Sequence, residues 1–368
     1  MKWFGRKGAP RARPLLFSGW RHLFAAEPWP RSYEAQVREA YFGNPVAQRA
    51  VRLVAESVAW APIFASEARA EAAALVPPAL LETVATQLLL HGNAFVQLLQ
   101  DAGGMPAELF PLRPERVSVE ADAGGWPAAY LYKVGEAKSR IPAKDGLGRP
   151  GLAHLKAAHP LDDHYGLGCL GAAAGAVAVH NAAAQWNKAL LDNAARPSGA
   201  LVYDAGDGAA LSEAQFERLR GEMEAQFSGA ANAGRPLLLD GGLTWQAMSL
   251  TPAEMDFIGL KAAAAREIAL AFGVPPMLLG LPGDSTYANY KEANRALWRL
   301  TVLPMAARIL AGIAGALASW WPGLRLEVDL DRISALAEER ERLWRQVSAA
   351  DFLSDAEKRE MLGFAPRA

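Results

Sequence analysis

Three glycines near the middle of the chain have the spacing of a dinucleotide-binding motif. Gly166, Gly168 and Gly171 spell G-x-G-x-x-G, a pattern that can hold a pyrophosphate at the first turn of a helix. That motif must follow a buried strand directly, with its acidic partner at the end of a second strand. Here the polar segment HPLDDHY precedes the glycines, and Asp192 falls inside a predicted helix. We interpret the glycines as close-packing points.

Histidines and aspartates just before these glycines could instead coordinate a divalent metal. They crowd beside Pro160, which is typical of a solvated turn and a helix N-cap, and no pair spaced i, i+4 lies on a clear helix. The alternative function is therefore a nucleotide- or metal-dependent enzyme that uses residues 162–171. The residues concerned are His154, His159, Asp162, Asp163 and His164.

Other catalytic motifs are missing from the sequence. It contains no G-x-S-x-G nucleophile elbow, no P-loop and no H-E-x-x-H zinc motif. We therefore predict a protein that is not an enzyme, with no catalytic residue, no cofactor and no metal.

The composition is that of a globular protein with more than one packing unit. The chain has 368 residues, of which 51% are hydrophobic and 21% charged. A formal net charge of −1 disfavours a dedicated nucleic-acid binder, although it suits a protein that DNA slides past. The one cysteine, Cys169, excludes an intramolecular disulfide framework and favours synthesis in a reducing cytoplasm.

Residues 1–27 form a basic N-terminal arm that contains no acid before Glu27. No apolar segment of signal-peptide length follows, so the sequence does not predict secretion. We interpret the arm as solvated and partly disordered, with contact to DNA or to an acidic neighbouring subunit as the alternative. Its basic residues are Lys2, Arg6, Lys7, Arg11, Arg13 and Arg21.

The segment from Thr251 to Trp298 predicts a helix, a sharp stop, an irregular loop and a second helix. Thr251 and Glu254 match a capping box, and Gly273 followed by Pro275-Pro276 ends the first helix. Its apolar positions should share one buried stripe. They are Phe257, Leu260, Ala264, Ile268 and Ala271.

The second helix of this segment should run from Thr286 to about Trp320, with a kink at Pro304. Its apolar part, Met305 to Trp321, is short for a membrane span and contains Arg308. We predict a buried core helix.

Elsewhere the periodicity predicts an α+β protein with a largely antiparallel sheet. Helices start at Asn44-Pro45 and at Pro78, and four β-rich segments follow. A helix at 167–193 is rich in Ala and Gly, which suits close packing among copies of itself. Residues 200–250 predict a β-α-β-β unit with a capping box at Ser212 and an Asp240-Gly241 turn. Two helices end the chain.

Taken in order, several of these segments resemble the portal proteins of tailed bacteriophages, and more closely the portal protein of gene transfer agents. The similarity begins near Trp20 and covers most of the chain, and the motifs are specific as an ordered set. They are Asn44-Pro45, His91-Gly92-Asn93-Ala94, HPLDDHYGLG, NKALLDNAARPSGALVY, AREIALAFGVPPMLLG and TYANYKEANRALW, with Pro304 further along.

The resemblance implies the phage portal fold, in which a wing of helices and antiparallel strands joins a helical stem, a small β-α-β-β clip and a short helical crown. The C-terminal part is shorter than in larger portals, which argues against an extended crown. The implied boundaries are 28–160 for the first part of the wing, 161–199 and 251–274 for the stem helices, 200–250 for the clip, 275–289 for the tunnel loop, 290–330 for a wing helix and strand, and 331–368 for the crown.

The resemblance also implies a function: a ring of about twelve copies at one capsid vertex of a virion or phage-like particle. The ring would pass double-stranded DNA without sequence preference and contact terminase, a head–tail adaptor and the major capsid protein, but no membrane. The implied site residues are Leu281, Pro282, Gly283, Asp284, Ser285, Thr286 and Tyr287 in the tunnel loop, Lys188, Lys261 and Arg266 in the stem, and Phe216, Met223 and Trp245 at a clip interface.

Overall fold

The computed structural model describes residue 16 and residues 32–66, 69–192, 199–203, 212–227, 243–247, 257–281 and 286–363. Its contacts divide the chain into unit 1, residues 1–173 with 269–368, and unit 2, residues 174–268. Helices and antiparallel strands occur together, so the predicted α+β class is confirmed.

The helices and strands in the described residues have the following bounds. The α-helices are α1 (Tyr33–Val37), α2 (Pro45–Ala59), α3 (Ala70–Ala74), α4 (Pro78–His91), α5 (Leu170–Asp192), α6 (Glu213–Phe227), α7 (Phe257–Ala271), α8 (Tyr287–Leu297), α9 (Leu303–Leu317), α10 (Ala337–Ser348) and α11 (Asp355–Met361). The strands are β1 (Ile63–Ala65), β2 (Asn93–Gln100), β3 (Pro106–Leu112), β4 (Val117–Ala121), β5 (Pro127–Val134), β6 (Ala137–Pro142), β7 (Leu152–Lys156), β8 (Gly199–Tyr203), β9 (Leu243–Ala247) and β10 (Leu326–Val328).

Unit 1 contains two antiparallel three-stranded sheets, ordered β3-β2-β7 and β4-β5-β6. Phe95 of the central strand β2 is fully buried, and apolar residues from both sheets pack around it. On β6 only Ile141 joins this cluster, and the other residues of that strand are exposed. The buried members are Phe95, Leu112, Val117, Tyr130, Ile141 and Leu152.

Helices α2, α4 and α9 form the helical part of the unit 1 core. Helix α9 contacts both of the others and also β7, and its buried side chains recur every three to four residues. The predicted core helix is therefore confirmed. The continuous helix Tyr287–Leu317 is long and apolar enough to cross a membrane. In its most apolar stretch of 18 residues, 44% is buried inside the protein. The buried residues of α9 are Ala306, Ile309, Leu310, Ile313, Ala314 and Leu317.

Local sequence signals account for several helix ends. The Asn44 side chain accepts hydrogen bonds from the N–H groups of Val46 and Ala47, both at 3.0 Å, and caps α2. Gly92 ends α4 in the left-handed conformation, with φ +81°. Pro304 has no N–H to donate to the preceding turn. Just before it, the helix widens into a π-helical turn over Trp298–Val302.

Unit 2 contains most of α5 and α7, together with β8, α6 and β9. Strands β8 and β9 pair antiparallel, from Gly199 opposite Ala247 to Tyr203 opposite Leu243. The predicted capping box is present, because the N–H of Ser212 donates to Gln215 Oε1 at 3.0 Å and the N–H of Gln215 donates to Ser212 Oγ at 3.4 Å. The Thr251 capping box, the Asp240-Gly241 turn and the strand predicted before it lie outside the described residues.

Four expectations need correction. Strands β1, β6 and β7 were not predicted. Strand β1 has only three residues, and β6 is polar and mostly exposed, so neither has a clear sequence pattern. The helix predicted to reach Trp320 ends at Leu317. Leu260 is exposed rather than part of the buried stripe of α7. Asp162 and His164 are buried, not solvated.

Candidate functional site

Two of the three motif glycines lie where backbone segments cross in unit 1. A Cβ on Gly166 would lie 2.1 Å from the carbonyl oxygen of Gly92, and one on Gly168 would lie 2.4 Å from that of Leu90. The close-packing interpretation is confirmed at these positions. It is wrong for Gly171, which has no such neighbour within 4 Å.

The side chain of Asn93 connects the crossing segments by hydrogen bonds. Its Oδ1 accepts the N–H of Gly166 at 2.7 Å and lies 3.1 Å from His154 Nε2, and its Nδ2 donates to the carbonyl oxygen of Gly166 at 3.1 Å. The N–H of Cys169 donates to the Leu89 carbonyl at 2.8 Å. The N–H groups of Gly166 and Cys169 are already used within the chain, which argues against a nucleotide cradle at this turn.

The neighbouring histidines and aspartates have separate structural tasks. His154 stacks on Phe95, with ring centroids 4.2 Å apart, and this enclosure lowers its pKa to about 3. His164 Nε2 lies 2.6 Å from the Gly125 carbonyl, and Asp162 accepts the N–H groups of His164 and Tyr165. Among the described residues, no three His, Cys, Asp or Glu side chains are grouped as a metal site requires.

A cavity of about 410 Å³ lies beside this turn. Lys156 and Arg308 line it together with Asp162 and Asp163, and Lys156 donates to the main-chain carbonyl of Asp163. The opposite charges in its wall give the cavity no preference for an anion or a cation.

Helix α7 ends in a tight, well-defined stop. The N–H of Gly273 donates to the Leu270 carbonyl at 3.0 Å and that of Val274 to the Ala269 carbonyl at 2.9 Å, which is a Schellman motif. Gly273 has the predicted positive φ, +66°. Thr301 Oγ donates to the Gly273 carbonyl at 2.6 Å, which holds the stop against the π-helical turn of unit 1.

Between this stop and α8 lies the segment assigned to the tunnel loop. A 3-10 turn, Pro276–Leu279, follows the double proline and ends at Gly280 in the left-handed conformation. Leu281 is half-buried, whereas Pro282, Gly283, Asp284 and Ser285 are outside the described residues.

The second helix begins at the far end of that segment. Thr286 caps α8 by accepting the N–H of Asn289 at 3.2 Å. Tyr287 is 79% exposed and Tyr290 is also exposed. The ammonium group of Lys291 lies 6.0 Å from the centroid of the Tyr287 ring, within cation–π range.

A row of ion pairs links α8 to α10 in unit 1. Arg295 is the central cation: it lies 2.6 Å from Glu292, 3.2 Å from Glu338 and 3.5 Å from Glu339. Lys291 pairs with Glu338, and Arg299 pairs with Glu339 at 3.3 Å. The hydrogen bond from Lys291, together with the cationic charges, holds the pKa of the Glu338 carboxyl below its usual range.

The three residues assigned to the stem lie on the long helices of unit 2. Lys188 is exposed on α5, Lys261 is half-buried on α7, and Arg266 is exposed on α7. His180 of α5 is buried, and this burial, with the nearby Lys261 charge as a second cause, lowers its pKa.

The clip residues lie on two elements of unit 2. Phe216 is on α6 and is 55% exposed, so its ring does not contribute to a buried face within one chain. Met223 is on α6 and Trp245 on β9, and their side chains are outside the described set.

Two features were missed by sequence reasoning. The pairing of α8 with α10 is the first, and it joins Lys291 and Glu338, which are 47 positions apart. Its one sequence signal is the i, i+4 spacing of Lys291, Arg295 and Arg299. Exposed apolar residues on the unit 2 helices are the second feature, with Ile258 on α7 at 86% exposure and Trp186 on α5 also exposed.

Comparison with solved structures places this fold among particle proteins. A chain in the virion of a native gene transfer agent particle is 47% identical, with a TM-score of 0.69, over 93% of this chain and 96% of that one. A chain in the neck of the native particle, computed with C12 symmetry, is also 47% identical, with a TM-score of 0.67, over 92% of this chain and 96% of that one. The fold is therefore that of a neck protein of phage-like particles.

Sequence comparison identifies the family. An uncharacterized protein of Rickettsia felis is 41% identical over 350 residues, which is 89% of this chain and 88% of that protein. The phage portal protein family matches residues 45–363. The chain belongs to the phage portal protein family, whose role is structural.

Proposed function

We propose that about twelve copies of this chain form a ring at one capsid vertex of a virion or phage-like particle. The ring is the conduit for packaging and ejecting double-stranded DNA, and it is not an enzyme. It docks terminase and a head–tail adaptor and contacts the major capsid protein, and the chain is made in the bacterial cytoplasm. The observation that carries this proposal is the 47% identity, over 92% of the chain, with a protein from a neck computed with C12 symmetry.

The exposed apolar residues of unit 2 support a ring. Val179 and Trp186 on α5, Phe216 on α6 and Ile258 on α7 are all exposed in the single chain. A head-to-tail contact repeated around a closed ring removes such residues from water in every copy. We assign α5 and α7 to the stem (161–199 and 251–274) and α6, β8 and β9 to the clip (200–250).

The remaining boundaries follow the same assignment. Residues 28–160 and 290–330 form the wing, and residues 331–368, with α10 and α11, form the short crown. Residues 275–289 form the tunnel loop, which begins after the Gly273 stop and ends in the first turn of α8, just beyond the Thr286 cap. No residue from Leu281 to Tyr287 is basic, so the loop can touch DNA without anchoring its phosphates.

Particle mass tests the ring. Mass photometry of the purified chain should show a species of about twelve subunits, and Ile258→Asp should shift it to smaller species because it places a charge on the proposed contact. Leu147→Asp is the matched control, since Leu147 is 76% exposed in a loop of unit 1. A stable monomer at high concentration overturns the ring.

A loop variant tests the DNA conduit. Deleting residues 282–285 leaves α7 and α8 intact and should leave ring mass unchanged, while lowering nuclease-protected DNA per capsid protein in particles. Replacing the same four residues with Gly-Ser-Gly-Ser keeps the length of the loop. This variant therefore distinguishes an effect of loop length from an effect of the native side chains. Normal protected DNA in particles that carry the deletion shows that this loop does not govern passage.

A further inference from the structure

Helix α8 and the turn after it carry three cations on one face. Lys291, Arg295 and Arg299 recur every four residues, a spacing that puts helical side chains one above the other. With a rise of 1.5 Å per residue, the row is about 12 Å long. It begins five residues after the Thr286 cap, on the helix that follows the tunnel loop.

Each cation of this row is neutralised within the chain, and helix α10 supplies most of the neutralising charge. Glu338 pairs with Lys291 and Arg295, and Glu339 pairs with Arg295 and Arg299. Glu292 of α8 supplies the third carboxylate. Three positive and three negative charges therefore face one another.

The members of the row differ in accessibility. The Arg295 side chain is only 17% exposed and has three carboxylates around it, so it is a structural cation. Lys291 is 42% exposed and Glu338 is 64% exposed. An exposed ion pair of this kind contributes little to the free energy of folding, so the fold should survive the loss of Glu338. Lys291 is therefore the cation that losing Glu338 would release.

We propose that the cation row of α8 is a latent binding site for the phosphate backbone of duplex DNA, which helix α10 keeps neutral. The inference rests on the proposed function, in which DNA passes the loop that precedes α8. Each free cation that contacts a phosphate strengthens DNA binding and makes it dependent on salt. By neutralising the row, α10 keeps DNA from being retained on this helix as it moves.

The test compares two single-charge changes on α10. Glu338→Gln frees Lys291, whereas Glu341→Gln removes a carboxylate that lies 3.5 Å from Arg345 of its own helix and is 70% exposed. Binding of a random-sequence duplex is measured by fluorescence anisotropy over a salt series. Glu338→Gln should bind more tightly, with a salt slope steeper by roughly 0.9 for the one freed cation. Glu341→Gln should match the unmodified chain.

The double variant Lys291→Gln/Glu338→Gln assigns the effect to one side chain. It should return to the affinity of the unmodified chain. Equal affinity of the Glu338→Gln and Glu341→Gln variants overturns the latent site, and so does a gain that survives in the double variant. A gain for polyglutamate but not for DNA overturns the choice of ligand.

Particle mass measured on the same samples separates this inference from the proposed function. A Lys291-dependent gain in a chain that does not form rings supports the latent site and contradicts the ring. Rings without such a gain contradict only the latent site.

Discussion

Helices α9 and α6 are both 15 residues long, yet they differ in how far their apolar side chains are exposed to solvent. In α9 of unit 1, Ile309, Leu310 and Ile313 are at most 1% exposed. In the described part of α6 in unit 2, residues 213–221, every side chain except Leu219 is exposed. Helix α9 completes its burial within one chain, whereas the described side chains of α6 remain largely in water.

This difference separates two sources of stability. Burial inside unit 1 stabilises each copy alone, in proportion to the apolar area removed from water. The exposed residues of unit 2 add stability only when another molecule covers them, and in the proposed ring that molecule is the next copy. Changes in the two units should therefore have different measurable effects.

The largest expected effect is on the core of unit 1. Ile313→Ala should lower the free energy of unfolding by about 3 kcal/mol, because it deletes buried methyl groups and leaves a cavity. The matched change Ile258→Ala on α7 should cost the single chain less than about 0.5 kcal/mol, since the side chain is already in water. Urea unfolding of the two variants measures both values.

The same two variants also test whether the two units differ in this way. Ile258→Ala should lower the fraction of chains in rings at a given concentration, whereas Ile313→Ala should not do so until unit 1 unfolds. A loss of stability for Ile258→Ala in the monomer as large as that for Ile313→Ala would show that unit 2 has a core of its own at this position.

Gly168→Ala should have the next largest effect. A Cβ there lies 2.4 Å from the carbonyl oxygen of Leu90, and relieving such overpacking against backbone costs about 2–3 kcal/mol. Gly171→Ala is the control within the same motif, because it meets no other atom and should favour α5 by about 0.5–1 kcal/mol. Thermal unfolding of both variants checks the opposite signs, and equal shifts would contradict the backbone crossing.

Acid should weaken unit 1 through His154, whose folded-state pKa is about 3. Below pH 6.5 the unfolded chain binds a proton at this residue that the folded chain does not, so stability falls as the pH falls from 6.5 toward 3. The expected loss between pH 6.5 and pH 5 is about 2 kcal/mol. Unfolding midpoints over this range measure it.

His154→Gln is the control for this pH dependence. Its amide can still contact Asn93 but does not titrate, so the variant should lose less stability between pH 6.5 and pH 5. His180 of unit 2 also has a lowered pKa, and hydrogen exchange resolved by unit distinguishes the two histidines. An unchanged acid response in His154→Gln would remove His154 as the cause.

The smallest expected effect is local to α6. Ser212→Ala removes one half of the capping box and should destabilise α6 by about 1 kcal/mol. Because almost all the described side chains of α6 are exposed, the amides of α6 should exchange faster while those of α9 stay unchanged. Equal acceleration in both helices would show that the two units unfold together.

Features that depend on a few neighbouring residues could be predicted from sequence. Asn44 caps α2, Gly273 ends α7 and Ser212 opens α6, as the local motifs indicate. The family resemblance added the fold and the function, which no single motif carries. Its assignment of the loop and the stem residues stays a prediction.

Features that depend on distant partners could not be read in the same way. Strand β6 is polar along most of its length, and only pairing with β5 makes it a strand. Leu260 has the spacing of a buried residue, but tertiary packing buries Ala265 and Ala269 instead. The ion pairs between α8 and α10 need a chain turn that no local pattern encodes.

The pairing of β1 with β10 sets an order of events during synthesis. Arg325 donates its N–H to Ser66, a residue made 259 positions earlier, and α4 also waits for α9. At ordinary translation speed that interval is on the order of ten to fifty seconds. The ribosome makes all of unit 2 within it, so α2 and α4 emerge before α9, the third helix of their shared core. Nascent chains that stop before Leu303 therefore leave the α9-facing apolar residues of α2 and α4 exposed, and we expect their need for chaperones to be greatest at that stage.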